Sequence, residues 1–168
     1  ARFDSAQELS SIYSLSDTAF QTLRPYIDIP EPAPEPKIEL NTAKQKELEA
    51  LYGIGPYFAK MIVKYRNLLG GYYHKSQLLE VYNFQKETYH AIVDKIKADT
   101  SKIQKIPLQK ADFKQLIRHP YINKLQTKEI LELRKNNNLN SVDILRDKKI
   151  FSDTIFNKVH HYLLMKGR

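Results

Sequence analysis

Residues 48–60 read LEALYGIGPYFAK, and this stretch decides the fold that we expect. Two glycines flank one isoleucine and a proline follows, in a chain of 168 residues that contains only five glycines. Glycine suits positions where the backbone takes a positive φ or approaches another group closely. Proline is favoured at the first position of a helix, where no helical hydrogen bond needs its missing N–H. The stretch therefore predicts a tight turn at Gly53, Ile54 and Gly55, and a helix that starts at Pro56.

Helical spacing of apolar residues continues on both sides of this turn. Residues 42–51 place apolar side chains near one face, with Asn41 or Thr42 as the N-cap. Residues 56–69 do the same until a pair of glycines ends the helix, and residues 75–97 then form a second helical pair. No stretch alternates apolar and polar residues with a period of two. We therefore expect an all-α fold.

The chain contains internal repeats, which bear on the whole architecture. The segment that starts at Ile38 aligns with the segment that starts at Ile106, and residues 3–27 align with residues 139–163 without a gap. The matched pairs of the first alignment include Leu40 with Leu108, Ala43 with Ala111, Leu48 with Leu116, Ile54 with Ile122, and Arg66 with Arg134. We expect two complete repeats and one N-terminal half repeat, so that the chain begins within a repeat.

These repeats define four predicted regions. Residues 1–28 form the second half of a truncated repeat, and residues 29–37 form a linker in which every second residue from Pro30 is proline. Such a linker favours the polyproline II conformation and acts as a semi-rigid spacer. A complete repeat with the intact glycine turn occupies residues 38–100, and a degenerate repeat occupies residues 106–168.

Composition favours a polyanionic partner. The 27 Lys and Arg residues against 19 Asp and Glu residues give a formal charge of +8. Residues 1–36 carry two basic and six acidic residues, whereas residues 37–168 carry twenty-five and thirteen, so the positive charge lies after the linker. The absence of cysteine excludes disulfides, iron–sulfur clusters and thiol catalysis. No apolar run reaches the roughly 20 residues of a membrane-spanning helix, and we expect no membrane contact by this segment.

The predicted turn suits a phosphate group. Bare backbone at the amino end of a helix leaves amide N–H groups unpaired, and these amides and the helix dipole attract an anion. Pro56 has no N–H, so the expected donors are the amides of Gly53, Gly55 and Tyr57, with Ile54 buried beneath the turn. Two lysines one helical turn apart add charge. The candidate binding residues are Gly53, Ile54, Gly55, Tyr57, Lys60 and Lys64.

The pattern L-x-x-L-x-G-I-G-x-x-x-A, from Leu48 to Ala59, resembles the helix-hairpin-helix motif. The longer stretch from Leu40 to Val81 resembles the ComEA-type family of DNA-uptake proteins, whose SAM-like domain joins two such hairpins. The resemblance is strong over residues 38–96, fair over residues 106–163 and partial over residues 3–27. It implies tandem helix-hairpin-helix repeats that bind duplex DNA through its backbone, without sequence preference, in DNA uptake or repair.

The resemblance has further implications. Family hairpins can hold a monovalent cation through backbone carbonyls, here those of Leu51 and Ile54, and we expect no other cofactor. Relatives are often tethered to the bacterial envelope by an upstream membrane segment, which implies a bacterial, envelope-anchored protein. The alternative function is a protein-interaction or scaffolding array of degenerate repeats, which the acidic N-terminal piece favours.

The other hairpins lack the glycine pair. In the last repeat Tyr121 and Asn123 replace the two glycines, and Thr127 replaces the alanine. Asn tolerates left-handed backbone, whereas the tyrosine would crowd a phosphate. We interpret these hairpins as architectural. For the intact turn, the alternative is that its glycines serve backbone geometry alone.

Catalysis is not expected. Helix-hairpin-helix glycosylases with lyase activity carry a lysine where this chain has Tyr57, and often a cysteine cluster that it lacks. The histidines show no metal-ligand spacing, and most of the eleven tyrosines are expected in the core or at its rim rather than stacked on bases. The basic run at residues 146–150 is either an ordinary solvated face or a secondary DNA contact.

Overall fold

The computed structural model describes residues 16–26 and 36–165, which are mostly helical. The chain divides into two compact units, residues 1–36 and residues 37–168. In the smaller unit, helix α1 (Asp17–Leu23) begins after Ser16, whose hydroxyl accepts from the Ala19 N–H at 3.2 Å, and a short 3-10 helix follows (Arg24–Tyr26). Most of the predicted half repeat and of the proline linker lies outside the described residues.

The larger unit contains two segments with a similar order of elements, each beginning and ending with a short strand. The first comprises β1 (Ile38–Glu39), α2 (Gln45–Glu49), α3 (Pro56–Leu69), a 3-10 helix (Lys75–Glu80), α4 (Lys86–Ile92) and β2 (Ile96–Lys97). A 3-10 turn (Thr100–Lys102) joins it to the second, which comprises β3 (Ile106–Pro107), α5 (Phe113–Ile117), α6 (Lys124–Lys135), α7 (Ile144–Asp147), α8 (Asp153–Val159), a 3-10 turn (His160–Tyr162) and β4 (Leu163–Leu164). Each segment therefore has two helical hairpins, which we number in chain order. Hairpin 1 comprises α2 and α3, and hairpin 2 comprises the 3-10 helix at Lys75–Glu80 and α4. Hairpin 3 comprises α5 and α6, and hairpin 4 comprises α7 and α8.

The strands refine the all-α expectation. Strand β1 pairs in parallel with β2, so that Ile38 lies opposite Ile96, and β3 pairs in the same way with β4, so that Ile106 lies opposite Leu163. Strands of two residues are too short to produce a period of two in the sequence. These pairs hold the two ends of each segment together.

Each segment has its own hydrophobic core. The first core extends along the chain from Leu40 to Ile96, and the second from Leu108 to Leu163. Tyr162 is the exception, because it belongs to the second segment but is buried in the first core. One aromatic side chain thus packs across the boundary between the segments.

A matched arginine stabilises both segments. The Arg66 Nη1 atom donates to the Leu40 and Ala43 carbonyls, both at 2.8 Å. Arg134 makes the equivalent bonds to the carbonyls of the corresponding residues of the second segment, at 3.1 and 2.7 Å. A single charged side chain therefore satisfies two backbone acceptors and holds the long helix against the loop that follows the first strand.

The sequence predicted the ends of α3 correctly but not the start of α2. Helix α2 begins after Lys44, so the predicted N-cap at Asn41 or Thr42 is wrong. Asn41 instead bonds to the backbone of Tyr72, accepting from its N–H at 2.6 Å and donating to its carbonyl at 2.9 Å. Helix α3 starts at Pro56 as predicted and ends at Gly70, where φ is 83°. The glycine is required because an added Cβ would lie 2.6 Å from the Gln104 carbonyl oxygen.

Two polar side chains of the first segment organise the contact with the second. The Gln77 side-chain amide donates to the hydroxyls of Tyr162 and Tyr121, at 2.8 and 2.9 Å, and the Tyr162 hydroxyl donates to the Gly71 carbonyl at 2.9 Å. The Glu80 carboxylate accepts from Tyr121 and, at 2.7 Å, from the Lys158 ammonium. These hydrogen bonds fix the two segments relative to each other.

The environment of Glu80 makes it sensitive to acid. Burial by itself raises the pKa of a carboxyl group, but hydrogen bonds from Lys158, Tyr121 and Tyr65 outweigh it, and the pKa of Glu80 lies below its ordinary value. The ionised Glu80 carboxylate therefore stabilises the fold, and its full contribution is present above the pKa that Glu80 has in the unfolded chain. That contribution is lost as the pH falls through the folded pKa.

We expect Glu80→Gln to lower the free energy of unfolding at pH 7 by about 1–3 kcal/mol, because three donors lose a charged acceptor. Urea unfolding at pH 7 and pH 3 measures the effect, and the difference from the wild type should shrink below pH ~4. Glu132→Gln, at an exposed position of α6, is the matched control. An equal loss in both variants would contradict a specific role for Glu80.

Candidate nucleic-acid interface

The turn of hairpin 1 depends on Gly53. Its φ is 73°, in the left-handed region, and an added Cβ would lie 3.2 Å from the Thr88 Cγ2 atom of helix α4. Ile54 is buried beneath the turn as predicted, and its N–H donates to the Leu51 carbonyl at 3.1 Å. Ala59 is fully buried where the two helices of the hairpin pack together.

Gly55 has a different role from Gly53. Its φ of −80° and ψ of 177° are ordinary extended backbone, and no atom lies within 4 Å of an added Cβ. A side chain at this position therefore causes no backbone strain. Gly55 is the N-cap of α3, and because it has no side chain it leaves the amino end of the helix uncapped.

The amides around this N-cap are unpaired. In helix α3 the first amide that bonds to backbone is that of Ala59, which donates to the Gly55 carbonyl at 3.0 Å. The amides of Gly53, Gly55, Tyr57 and Phe58 have no acceptor among the described residues. The sequence predicted three of these donors. It missed Phe58, although the rule that the first amides of a helix lack intrahelical partners covers it.

Two exposed lysines on α3 extend the candidate interface away from the unpaired amides. Lys60 and Lys64 lie one helical turn apart, and neither forms an ion pair within the described part of the chain. Tyr57 and Tyr52 flank the turn with 57% and 77% of their surface exposed. All six predicted binding residues thus lie on the turn or on the first turns of one helix. Ile54 contributes from below, through packing.

Hairpin 3 has the same backbone at its N-cap and satisfies the helix end internally. Asn123 has φ −91° and ψ 176°, close to the values of Gly55, so this position does not use the left-handed conformation that asparagine tolerates. Its side-chain oxygen accepts from the Gln126 N–H at 2.9 Å, and the Gln126 side chain accepts from the Asn123 N–H at 2.9 Å. This capping box occupies the amides that correspond to those of Gly55 and Phe58, two of the four that hairpin 1 leaves free.

Two residues near this cap, Tyr121 and Thr127, contribute to the fold through buried or partly buried side chains. The Tyr121 hydroxyl donates to Glu80 at the boundary between the segments, so its ring does not crowd the helix end. Thr127 occupies the position of Ala59, is fully buried, and donates to the Asn123 carbonyl at 2.8 Å. Both side chains stabilise the fold.

Hairpins 2 and 4 use other residues for the left-handed turn position. Asn83 has φ 57° and Lys149 has φ 55°. The N-caps that follow them are Gln85 and Ser152, and the Ser152 hydroxyl accepts from the Ile155 N–H at 3.4 Å. The sequence signal at position 83 was available, because asparagine adopts positive φ more readily than most residues. A lysine gives no such signal.

The remaining candidates are divided between core and surface. Tyr72 and Tyr162 are fully buried, as expected of core tyrosines, whereas Tyr82 is 68% exposed. In the basic run, Arg146 contacts Asp143 at 3.6 Å and lies over the Phe156 ring at 5.2 Å.

Within the described residues, no group of three or more His, Asp or Glu side chains could hold a metal ion, and no helix is long and apolar enough to span a bilayer.

Comparison with known proteins supports the class of this site. Residues 34–97 match the family model described as a helix-hairpin-helix motif, and that span includes hairpins 1 and 2. Helix-hairpin-helix motifs are generally associated with nucleic-acid binding. No curated protein and no solved structure matches the chain. The first segment therefore carries a nucleic-acid-binding type of motif.

We expect Gly53→Ala to destabilise the protein by about 1–2 kcal/mol, because an L-residue is strained at this φ. Gly53→Asn should cost less, since asparagine tolerates left-handed backbone and Asn83 takes this conformation in hairpin 2. Both variants place a Cβ near Thr88, so the difference between them isolates the backbone term. Thermal unfolding measures it, and equal losses would contradict the assignment.

Proposed function

We propose that the protein binds duplex DNA without sequence preference, through backbone phosphates at hairpin 1. The observation that carries the proposal is the uncapped amino end of α3, where four neighbouring amides have no acceptor in the described chain. A phosphate supplies several acceptor oxygens to one place and is favoured by the positive end of the helix dipole. Lys60 and Lys64 then meet the adjacent phosphates of the strand.

The binding is expected to ignore sequence because the donors are backbone amides and lysines. Contacts of this kind position a protein on the duplex, whereas base edges in the grooves carry sequence information. Phosphate contacts also release counterions, so that affinity falls steeply with salt. The net positive charge of residues 37–168 strengthens the attraction.

We infer a broader assignment from the same features. The similar element order of the two segments supports tandem helix-hairpin-helix repeats of the ComEA type, and DNA uptake or repair is the process that fits them. The proposal assigns no catalytic role, because Tyr57 occupies the position of the lyase lysine. The Leu51 and Ile54 carbonyls remain the proposed ligands of a monovalent cation, although the Leu51 carbonyl also accepts from the Ile54 N–H.

Unrelated duplexes of equal length should bind with equal affinity in fluorescence anisotropy at ~50 mM salt. If the site neutralises ~3 phosphates, the logarithm of the binding constant should fall with the logarithm of salt with a slope of about −2.7. Lys60→Gln should reduce the magnitude of that slope by at most ~0.9. No binding at micromolar protein would refute the proposal and favour a protein-interaction array instead.

Exchange of the two N-caps is the sharpest test of the phosphate site. Gly55→Asn adds a side chain where space is open and where the backbone already matches that of Asn123. The new side chain should cap α3 and leave stability unchanged or higher by a few tenths of a kcal/mol. It should also occupy one of the free amides and lower DNA affinity by at least about tenfold, which corresponds to the loss of one charge-assisted interaction.

The reverse variant Asn123→Gly is the matched control. It uncaps α6 at a small cost in stability, and it should not lower DNA affinity, because hairpin 3 is proposed to make no phosphate contact in the wild type. Thermal unfolding of both variants establishes that they are folded. Wild-type affinity in Gly55→Asn would show that the amides of hairpin 1 do not hold a phosphate.

A further inference from the structure

A basic groove lies where the two segments meet, at the opposite end of α3 from the glycine turn. Its polar part has a volume of about 310 Å³, and an adjoining part of about 220 Å³ shares Asn67, Gly70, Gln104 and Arg118 with it. The polar part is lined by two glycines, Gly70 and Gly71, and by the polar residues Asn41, Arg66, Asn67, Lys102, Gln104 and Arg118. No role for this groove follows from the helix-hairpin-helix match, because half of its lining lies beyond residue 97.

The charges of the lining all have the same sign. Arg66, Lys102 and Arg118 line the polar part, Lys105 lines the adjoining part, and neither lining includes an acidic residue. The side chains of Lys102 and Arg118 have no hydrogen-bond or ion-pair partner among the described residues. Burial lowers the pKa of His119, which also lines the adjoining part, to about 4, so this histidine adds no charge at neutral pH.

The donors of the groove remain available. Arg66 uses one guanidinium nitrogen, Nη1, for the Leu40 and Ala43 carbonyls, and its other N–H groups are uncommitted within the described chain. The amide side chains of Asn67 and Gln104 likewise make no hydrogen bond there. The groove therefore offers cationic and neutral donors to one ligand.

The carboxyl end of α3 opposes an anion, since helix C-termini carry partial negative charge. Here the Arg66 carbonyl and the carbonyl of the C-cap residue Gly70 are satisfied. The Arg66 carbonyl accepts from the N–H groups of Gly70 and Gly71, at 2.9 and 3.0 Å, and the Gly70 carbonyl accepts from the Gln104 N–H at 2.8 Å. Three full cationic charges outweigh the partial charge that remains.

We propose that this groove is a phosphate-binding site distinct from hairpin 1. The phosphate group is either free or part of a DNA backbone, since both present the same tetrahedral oxyanion to Arg118 and Lys102. A DNA source is geometrically open, because Lys60, Lys64 and Asn67 are all exposed at helical spacing along α3 and connect the two sites. The proposal does not depend on DNA binding by hairpin 1.

Inorganic phosphate is the first probe, added to the full ¹⁵N-labelled chain at constant ionic strength. We expect saturable chemical-shift changes confined to the groove, around Gly70, Lys102 and Arg118. The double variant Lys102→Gln with Arg118→Gln should lose at least about tenfold in phosphate affinity. The control, Lys135→Gln with Lys148→Gln, removes the same charge from exposed positions outside the groove and should bind phosphate as the wild type does.

Duplex DNA is the second probe, and it distinguishes the source. If DNA supplies the phosphate, the groove variant should reduce the magnitude of the salt slope by about 0.9 more than the control does. If the slopes agree while phosphate binding is lost, the site holds free phosphate. If the double variant unfolds, the phosphate titration of the wild-type chain still tests the proposal. Absent or unlocalised shifts with equal salt slopes would overturn the proposal, whereas a failure of all DNA binding would overturn only the proposed function.

Discussion

Left-handed backbone sets the geometry of three of the four hairpin turns in the described residues, and the helix contacts of those hairpins follow from it. Gly53, Asn83 and Lys149 all have a positive φ just before the helix that follows. This conformation reverses the chain within a few residues and brings the two helices of a hairpin into contact. In hairpin 1 the following residue, Ile54, is buried beneath the turn. In the hairpins whose left-handed residue is not glycine, packing of the side chain that follows it offsets the backbone strain.

The residue at the N-cap then decides what a hairpin can do. Gly55 and Asn123 have nearly the same φ and ψ, yet one leaves the helix amides free and the other caps them. A capping side chain and a phosphate oxygen compete for the same donors, since both are acceptors at the positive end of a helix. Stability and anion binding are therefore alternatives at this position. In this chain, the N-cap of hairpin 1 leaves amides free for an anion, whereas the N-cap of hairpin 3 uses them to stabilise the helix.

Polar contacts between the segments create a surface that neither segment has alone. Gln77 and Glu80 bind tyrosines and a lysine from the second segment, and Tyr162 is buried in the first core. This fixed arrangement places Arg118 beside Arg66 and Lys102 around one groove. Because these cations come from distant parts of the sequence, their proximity depends on the interface that holds the segments together.

The sequence alone determined the helical character, the turn at Gly53, the start of α3 at Pro56 and its end at Gly70, because these follow from local backbone preferences and helical spacing. Six candidate binding residues followed from the same local logic. Tertiary structure decided what local rules cannot express. Asn41 bonds to Tyr72, thirty-one positions away, instead of capping α2. Long-range packing also turned Tyr121 toward Glu80 and assembled the basic groove, since such contacts depend on distances that only the folded chain defines.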